Sequence, residues 1–313
     1  MTPRHQEREG PRWRPALSPN ALGALYMTLG TLAYVINDGF IRLAAEEGLD
    51  VYQALFLRGC AMIAVFATLL RVRGERLDRR LLVRPLVLRV AGEVVATATF
   101  FAALLQLDFA NAQTILMLVP FAVTVVAGRS LGERVTPYRY LLVAIGFAGV
   151  VAVIRPTPSA FSPWSLLVVV SAVAYVGREL ATRRVPSSTP PLAIALLTAI
   201  AITTMAGLLS IVGGWGAMSG AALAYLATAC TLLIAGYLFT IETVRVGDLS
   251  VSAPFRYVAV VGSVAVGALF FAERPDWWTA VGCAVIVLAG VASAREEART
   301  ARPAATGTPA GSG

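Results

Sequence analysis

The sequence echoes itself at an offset of 140 or 141 residues. Ala33-Tyr34-Val35 recurs as Ala174-Tyr175-Val176, Arg42 as Arg183, Asp108 as Asp248, Glu133-Arg134 as Glu273-Arg274, and Ala148-Gly149-Val150 as Ala289-Gly290-Val291. The charged matches weigh most, because Ala, Gly and Val recur by chance in apolar helices, whereas only 14% of the chain is charged. Each copy holds five apolar stretches. Five is odd, so a second copy that starts where the first ended crosses a bilayer in the opposite sense.

Composition fixes the solvent. Hydrophobic residues make up 57% of the chain and the mean hydropathy is +0.72, well on the apolar side of ordinary globular domains. A crossing needs roughly 20 mostly apolar residues. Ten stretches qualify, near residues 20–43, 52–70, 85–106, 111–131, 138–154, 163–183, 191–212, 220–243, 250–271 and 277–294; they are numbered span one to span ten below. A soluble helical core would show polar outer faces at helical spacing, yet 141–154 and 280–292 are apolar all round. Segments of alternating polarity, as in a membrane β-barrel, are absent. The expected fold is an all-α integral membrane protein of ten transmembrane helices in two inverted five-helix repeats. Inverted repeats of this kind are the pattern of secondary transporters, with a site near the midplane between the halves.

The 26 basic residues are all arginine. Their placement speaks for topology rather than for a nucleic-acid partner, since arginines gather on cytoplasmic loops. Arg71, Arg73, Arg76, Arg79, Arg80 and Arg84 follow span two, whereas Glu46, Glu47 and Asp50 precede it. Both termini are therefore expected in the cytoplasm, with the chain in the cell inner membrane. Residues 1–19 read as a disordered cytoplasmic tail that lacks the form of a signal peptide, 20–155 as the first repeat, 163–295 as the second, and 296–313 as a disordered tail.

Much chemistry is excluded. The only histidine is His5, and Cys60, Cys230 and Cys283 have no paired spacing. Histidine-based metal sites, Ser-His-Asp triads and histidine relays have no material here, and no phosphate-binding glycine loop is present. We expect no cofactor, no metal site and no catalytic residue. Transport would have to be driven by a gradient or by exchange.

Two five-helix halves, Gly-Glu-Arg at 132–134, Ala-Glu-Arg at 272–274 and Pro120 within span four together resemble the EamA family of the drug/metabolite transporter superfamily, over about residues 20–295. That resemblance implies a central cavity lined mainly by spans one to four and six to nine, peripheral fifth and tenth spans, and a small-molecule substrate of unspecified kind. Val260 stands where Pro120 stands in the first half, so a proline break is not expected to be symmetric.

Charges inside spans are costly and usually face a cavity or a partner. Asp38 and Arg42 lie one turn apart in span one, and their repeat counterparts Glu179 and Arg183 lie at the end of span six. Arg42, Glu179 and Arg183 are gate candidates, with interfacial ion pairs as the plainer alternative. Asp38 and Arg58 reach similar depths in adjacent spans, so they form a plausible pair with Arg42 competing. Glu93 is the most isolated charge. Because an apolar setting favours the neutral form of a carboxyl group, it is a candidate proton carrier or cation site. Arg256, at comparable depth, is either its salt-bridge partner or a fork for an anionic substrate group. Tyr34 and Tyr175 are candidate ring clamps, and Tyr257 and Gln113 are weaker candidates. Ala144 and Ala148 in span five and Gly282, Ile286 and Gly290 in span ten make small-residue faces that suit close helix contact, between halves or in a homodimer.

The expected function is secondary transport of a small amphipathic metabolite or drug by alternating access, as an exporter or exchanger with possible proton or counter-substrate coupling. A membrane receptor or assembly protein without transport is the alternative, and a membrane enzyme is less expected.

Overall fold

The structure is a computed structural model and describes residues 18–75, 82–130, 135–154, 162–186, 188–216, 218–246 and 249–301. Glu133, Arg134, Asp248, Arg76, Arg79, Arg80 and most of both tails lie outside the described residues. Span one is the helix Pro19–Glu46, span two Val51–Val72, span three Arg84–Leu104, span five Pro137–Ile154, span six Pro163–Thr182, span seven Pro191–Gly213, span eight Gly220–Val246 and span ten Trp277–Ala301. Among the described residues nine helical stretches are long and apolar enough to cross a membrane. Span one, 28 residues long, exceeds the length required and carries Asn37, Asp38 and Arg42 within it. The protein is an all-α membrane protein of two inverted five-helix repeats.

Local sequence explains the helix starts. Ser18 caps span one by accepting from the Ala21 amide at 3.3 Å. Asp50 caps span two, its Oδ1 accepting from Tyr52 and Gln53 amides at 3.0 and 2.9 Å; such caps satisfy donors that the first turn leaves open. Span four is interrupted, running Phe109–Leu116 and then Leu118–Ser130. Pro120 has no amide hydrogen to give the carbonyl four residues back, at Leu116. Span nine also breaks, but earlier: Leu249–Ser252 leads into a 3-10 turn, Ala253–Tyr257, that contains Pro254, before the helix Val258–Phe270. The proline-linked breaks are asymmetric, as Val260 implies. Each half has one nonetheless.

Packing follows the repeat. Span one lies on span eight and span three on span six, while two pairs with seven and five with ten. Exchanging the halves maps one–eight onto three–six and maps two–seven and five–ten each onto itself. Close approach depends on small residues: a Cβ on Gly149 of span five would stand 3.0 Å from the Gly282 carbonyl of span ten, and one on Gly282 only 2.7 Å from that of Gly149. Span five therefore meets span ten at Gly149, while its Gly146 faces the Phe121 ring of span four. Ala144 and Ala148 are exposed, so they do not serve the contact between the halves within this chain. In a helix apolar all round, periodicity does not mark which side meets protein. Span ten keeps its expected face, with Ile286 fully buried and Gly290 admitting the Tyr257 ring.

Candidate functional site

Among the described residues, three groups of polar side chains concern the candidate site, two within the spans and one at an end of the bundle. The first group joins spans one, two and four. Arg58 Nη1 donates to Asn37 Oδ1 at 3.1 Å, Asn37 Nδ2 donates to Asp38 Oδ1 at 2.9 Å, and Gln113 Nε2 donates to Asp38 Oδ2 at 2.8 Å. Arg58 also lies over the Phe101 ring of span three, 5.5 Å from its centroid. Asp38 and Arg58 thus belong to one network, with Asn37 as the bridge. Arg58 enters seven residues from the start of span two, roughly 10 Å deep at 1.5 Å per residue. A guanidinium at that depth needs such partners.

The second group joins spans three, six and seven across the two halves. Arg178 Nη1 donates to Glu93 Oε2 at 3.0 Å and Arg178 Nη2 pairs with Glu179 at 3.2 Å. Arg89 Nη2 approaches Glu93 to 3.6 Å, and its Nη1 donates to Thr198. Arg178 lies over Tyr175 at 5.1 Å. The Nε atoms of Arg89 and Arg178 are buried and have no hydrogen-bond partner among the described residues. Such donors are uncommon in folded proteins. Tyr34 completes the neighbourhood from span one, its hydroxyl sharing a hydrogen bond with Thr240 of span eight at 3.2 Å.

The third group lies at one end of the bundle. Arg42 Nη1 donates to Glu273 Oε1 at 3.1 Å and to the Leu107 carbonyl at 3.0 Å. Glu273 also accepts from the Phe109 amide at 2.6 Å and the Ala110 amide at 3.2 Å. Asp108, beside that helix start, makes no side-chain cap. A carboxylate from the other half does so instead, where the helix dipole favours negative charge. Arg42 stacks over Phe271 at 4.3 Å, and Phe271 packs on Phe109 with centroids 5.6 Å apart. The turn that presents Glu273 passes through Ala272 at φ 52°, a left-handed conformation that costs about 1–2 kcal/mol in a residue with a Cβ. Gly267 makes room for the carboxylate, because a Cβ there would overlap it.

Several sequence pairings differ from this geometry. Arg42 turns to Glu273 and Glu46 rather than to Asp38, and Glu179 pairs with Arg178. Glu93 is not isolated. Its partners are Arg178 and Arg89, whereas Arg256 is exposed in the 3-10 turn of span nine and makes no ion pair with it. Tyr257 is buried against Phe121, with centroids 6.0 Å apart. Arg183 sits exposed just beyond span six. Arg178, Arg89, Asn37 and Glu273 were missed as site residues. One signal was available: at an offset of 141, Arg178 is the counterpart of Asn37, so each repeat places a polar residue immediately before the shared acid.

The comparisons with known proteins agree with this architecture. Residues 21–155 and 162–294 each match the model of the EamA-like transporter family. A riboflavin transporter of Rhizobium johnstonii is 27% identical over 68% of this chain and 71% of its own. The pseudopaline exporter CntI of Pseudomonas aeruginosa is 24% identical over 87% of this chain and 96% of its own. An S-adenosylmethionine uptake transporter of Rickettsia prowazekii is 24% identical over 54% of this chain and 57% of its own. A crystal structure at 22% identity superposes with a TM-score of 0.62 over 86% of this chain and 97% of that one, a likeness of fold. With both five-helix repeats matched across nearly the whole membrane region, the chain belongs to the EamA-like transporter family.

Proposed function

We propose that the protein is a secondary transporter that exports or exchanges a small amphipathic metabolite bearing a carboxylate or phosphate. The observation that carries this reading is the pair of buried, unpartnered Nε–H donors on Arg89 and Arg178 beside Glu93. Buried donors without acceptors are costly, and an anionic group of the substrate satisfies them in the forked geometry that guanidinium favours. Tyr34 and Tyr175 provide ring faces for the apolar part of the ligand. Asp38, held with Arg58 through Asn37, forms the opposite wall.

Glu93 acts as a latch between spans three and six. Substrate competes for its guanidinium partners, so that coupling is by exchange. Alternating access follows from the repeat: the halves rock around the two central groups, and the Arg42–Glu273 network is the closure at one end. By the arginine rule the end bearing Arg71, Arg73 and Arg184 is cytoplasmic, the Glu273 end is external, both termini are cytoplasmic, and the chain resides in the inner membrane.

The test is a thermal-shift screen of anionic, zwitterionic and neutral metabolites on purified protein, followed by counterflow in proteoliposomes with the hits. Stabilising ligands that carry an anionic group, and whose counterflow is lost in Arg178→Gln, support the proposal. Flux confined to neutral compounds, or undiminished in that variant, overturns it.

A further inference from the structure

We propose that the seam between spans three and six holds a phospholipid with an anionic headgroup. A groove of about 750 Å³ opens there, lined almost wholly by apolar atoms. Leu88 and Val95 form walls that are 53% and 47% exposed. The floor is made of small residues, and a Cβ built on Gly177 would meet nothing within 4 Å. At one end the groove is rimmed by Arg84 and Arg184. Both are exposed, and neither has an acidic partner within 4 Å among the described residues.

The repeat supplies an internal comparison. Span three on span six is the counterpart of span eight on span one. Pro85 and Ala181, which line the groove, correspond at offsets of 140 and 141 to Tyr225 and Phe40. Those two aromatic rings pack together with centroids 5.9 Å apart, and Phe40 also meets Phe270 at 5.6 Å. One seam is thus filled by protein side chains while its twin is left open with two guanidiniums at its mouth. The fold does not require the opening. A bilayer supplies acyl chains of the right chemistry to fill it, and paired arginines beside a gap between helices recognise lipid phosphate. On the topology proposed above the headgroup belongs to the cytoplasmic leaflet.

The test uses the full-length purified protein. Thermal unfolding is measured with phosphatidylglycerol, with phosphatidylcholine and with inorganic phosphate, and native mass spectrometry counts retained lipid. Phosphatidylglycerol is expected to raise the midpoint by roughly 2–4 °C beyond phosphatidylcholine, with one lipid retained, and phosphate alone to do nothing. Arg84→Gln/Arg184→Gln should abolish the difference between the lipids. Gly177→Leu puts a side chain into the groove from a position where the Cβ itself meets nothing within 4 Å, and should displace the lipid even if its own stability rises. Equal effects of both lipids, a full effect from phosphate alone, or a lipid response unchanged in both variants overturns the proposal. Ligand binding in the counterflow assay is read separately, so failure here leaves the transport reading standing.

Discussion

Replacing Glu273 with glutamine removes a charge and almost nothing else, which makes it a sharp probe of the closed end. In the structure the carboxylate takes three donors: Arg42 Nη1, the Phe109 amide and the Ala110 amide. An amide side chain that keeps its oxygen at the Oε1 position still accepts from Phe109 and, without the charge, from Arg42, but turns its NH2 donor toward the Ala110 amide. The loss is one charge-assisted hydrogen bond, about 1.5–3 kcal/mol, plus about 0.3–1 kcal/mol of favourable charge at a helix N-terminus. With side-chain exposures of only 14% and 10% for Arg42 and Glu273, solvent screens little of this. The closed form should lose about 2–4 kcal/mol, or roughly 30- to 700-fold in its ratio to the open form. A Gln113→Cys label in a background freed of Cys60, Cys230 and Cys283 reads the result, because Gln113 is only 5% exposed. Its reaction with a membrane-impermeant thiol reagent should speed up roughly tenfold or more in Glu273→Gln. Arg42→Gln should act alike, and the double variant should add little, as coupled partners do. An unchanged rate, or fully additive effects, refutes the idea that this pair closes the end.

Other outcomes follow from the packing and the central groups. Gly149→Leu should cost about 1–3 kcal/mol by overpacking the crossing of spans five and ten and lower the melting midpoint of purified protein, whereas Ala144→Leu, facing outward, should leave it unchanged. Glu93→Gln should cut transport roughly tenfold or more, since releasing a span-to-span latch of about 1.4 kcal/mol already shifts an equilibrium tenfold. Its pH profile should match the parent; loss of pH dependence would assign Glu93 to proton coupling instead. Tyr175→Ala should raise KM about two- to fivefold through the lost stack on Arg178, worth about 0.5–1 kcal/mol, while Tyr175→Phe should stay near the parent. Equal KM values for the two variants would remove Tyr175 from the site.

The ten spans, their inversion and the family resemblance were legible in the sequence because each rests on properties local to the chain: run length, the odd number of crossings, and rare charges at a fixed offset. Partner choice was not. Glu93 meets Arg178 because spans three and six are antiparallel neighbours from different halves, and no single sequence states which spans touch. Glu273 was visible as a repeated landmark, yet its role depends on a turn through Ala272 and on the start of span four arriving from the other half. In span five residue size does not tell Ala144 and Ala148 from Gly146 and Gly149; only the packing shows that Gly149 meets span ten and Gly146 meets Phe121 of span four.

We propose that the two inverted halves open alternately around the buried polar groups. It is tested most directly by labelling both ends of the pathway in one experiment. Asp38→Cys and Glu179→Cys, each in the cysteine-free background, are assayed for thiol reactivity with and without the Glu273→Gln change. The account predicts opposite responses, with position 38 becoming more reactive and position 179 less so as the external end opens. Responses in the same direction would contradict it.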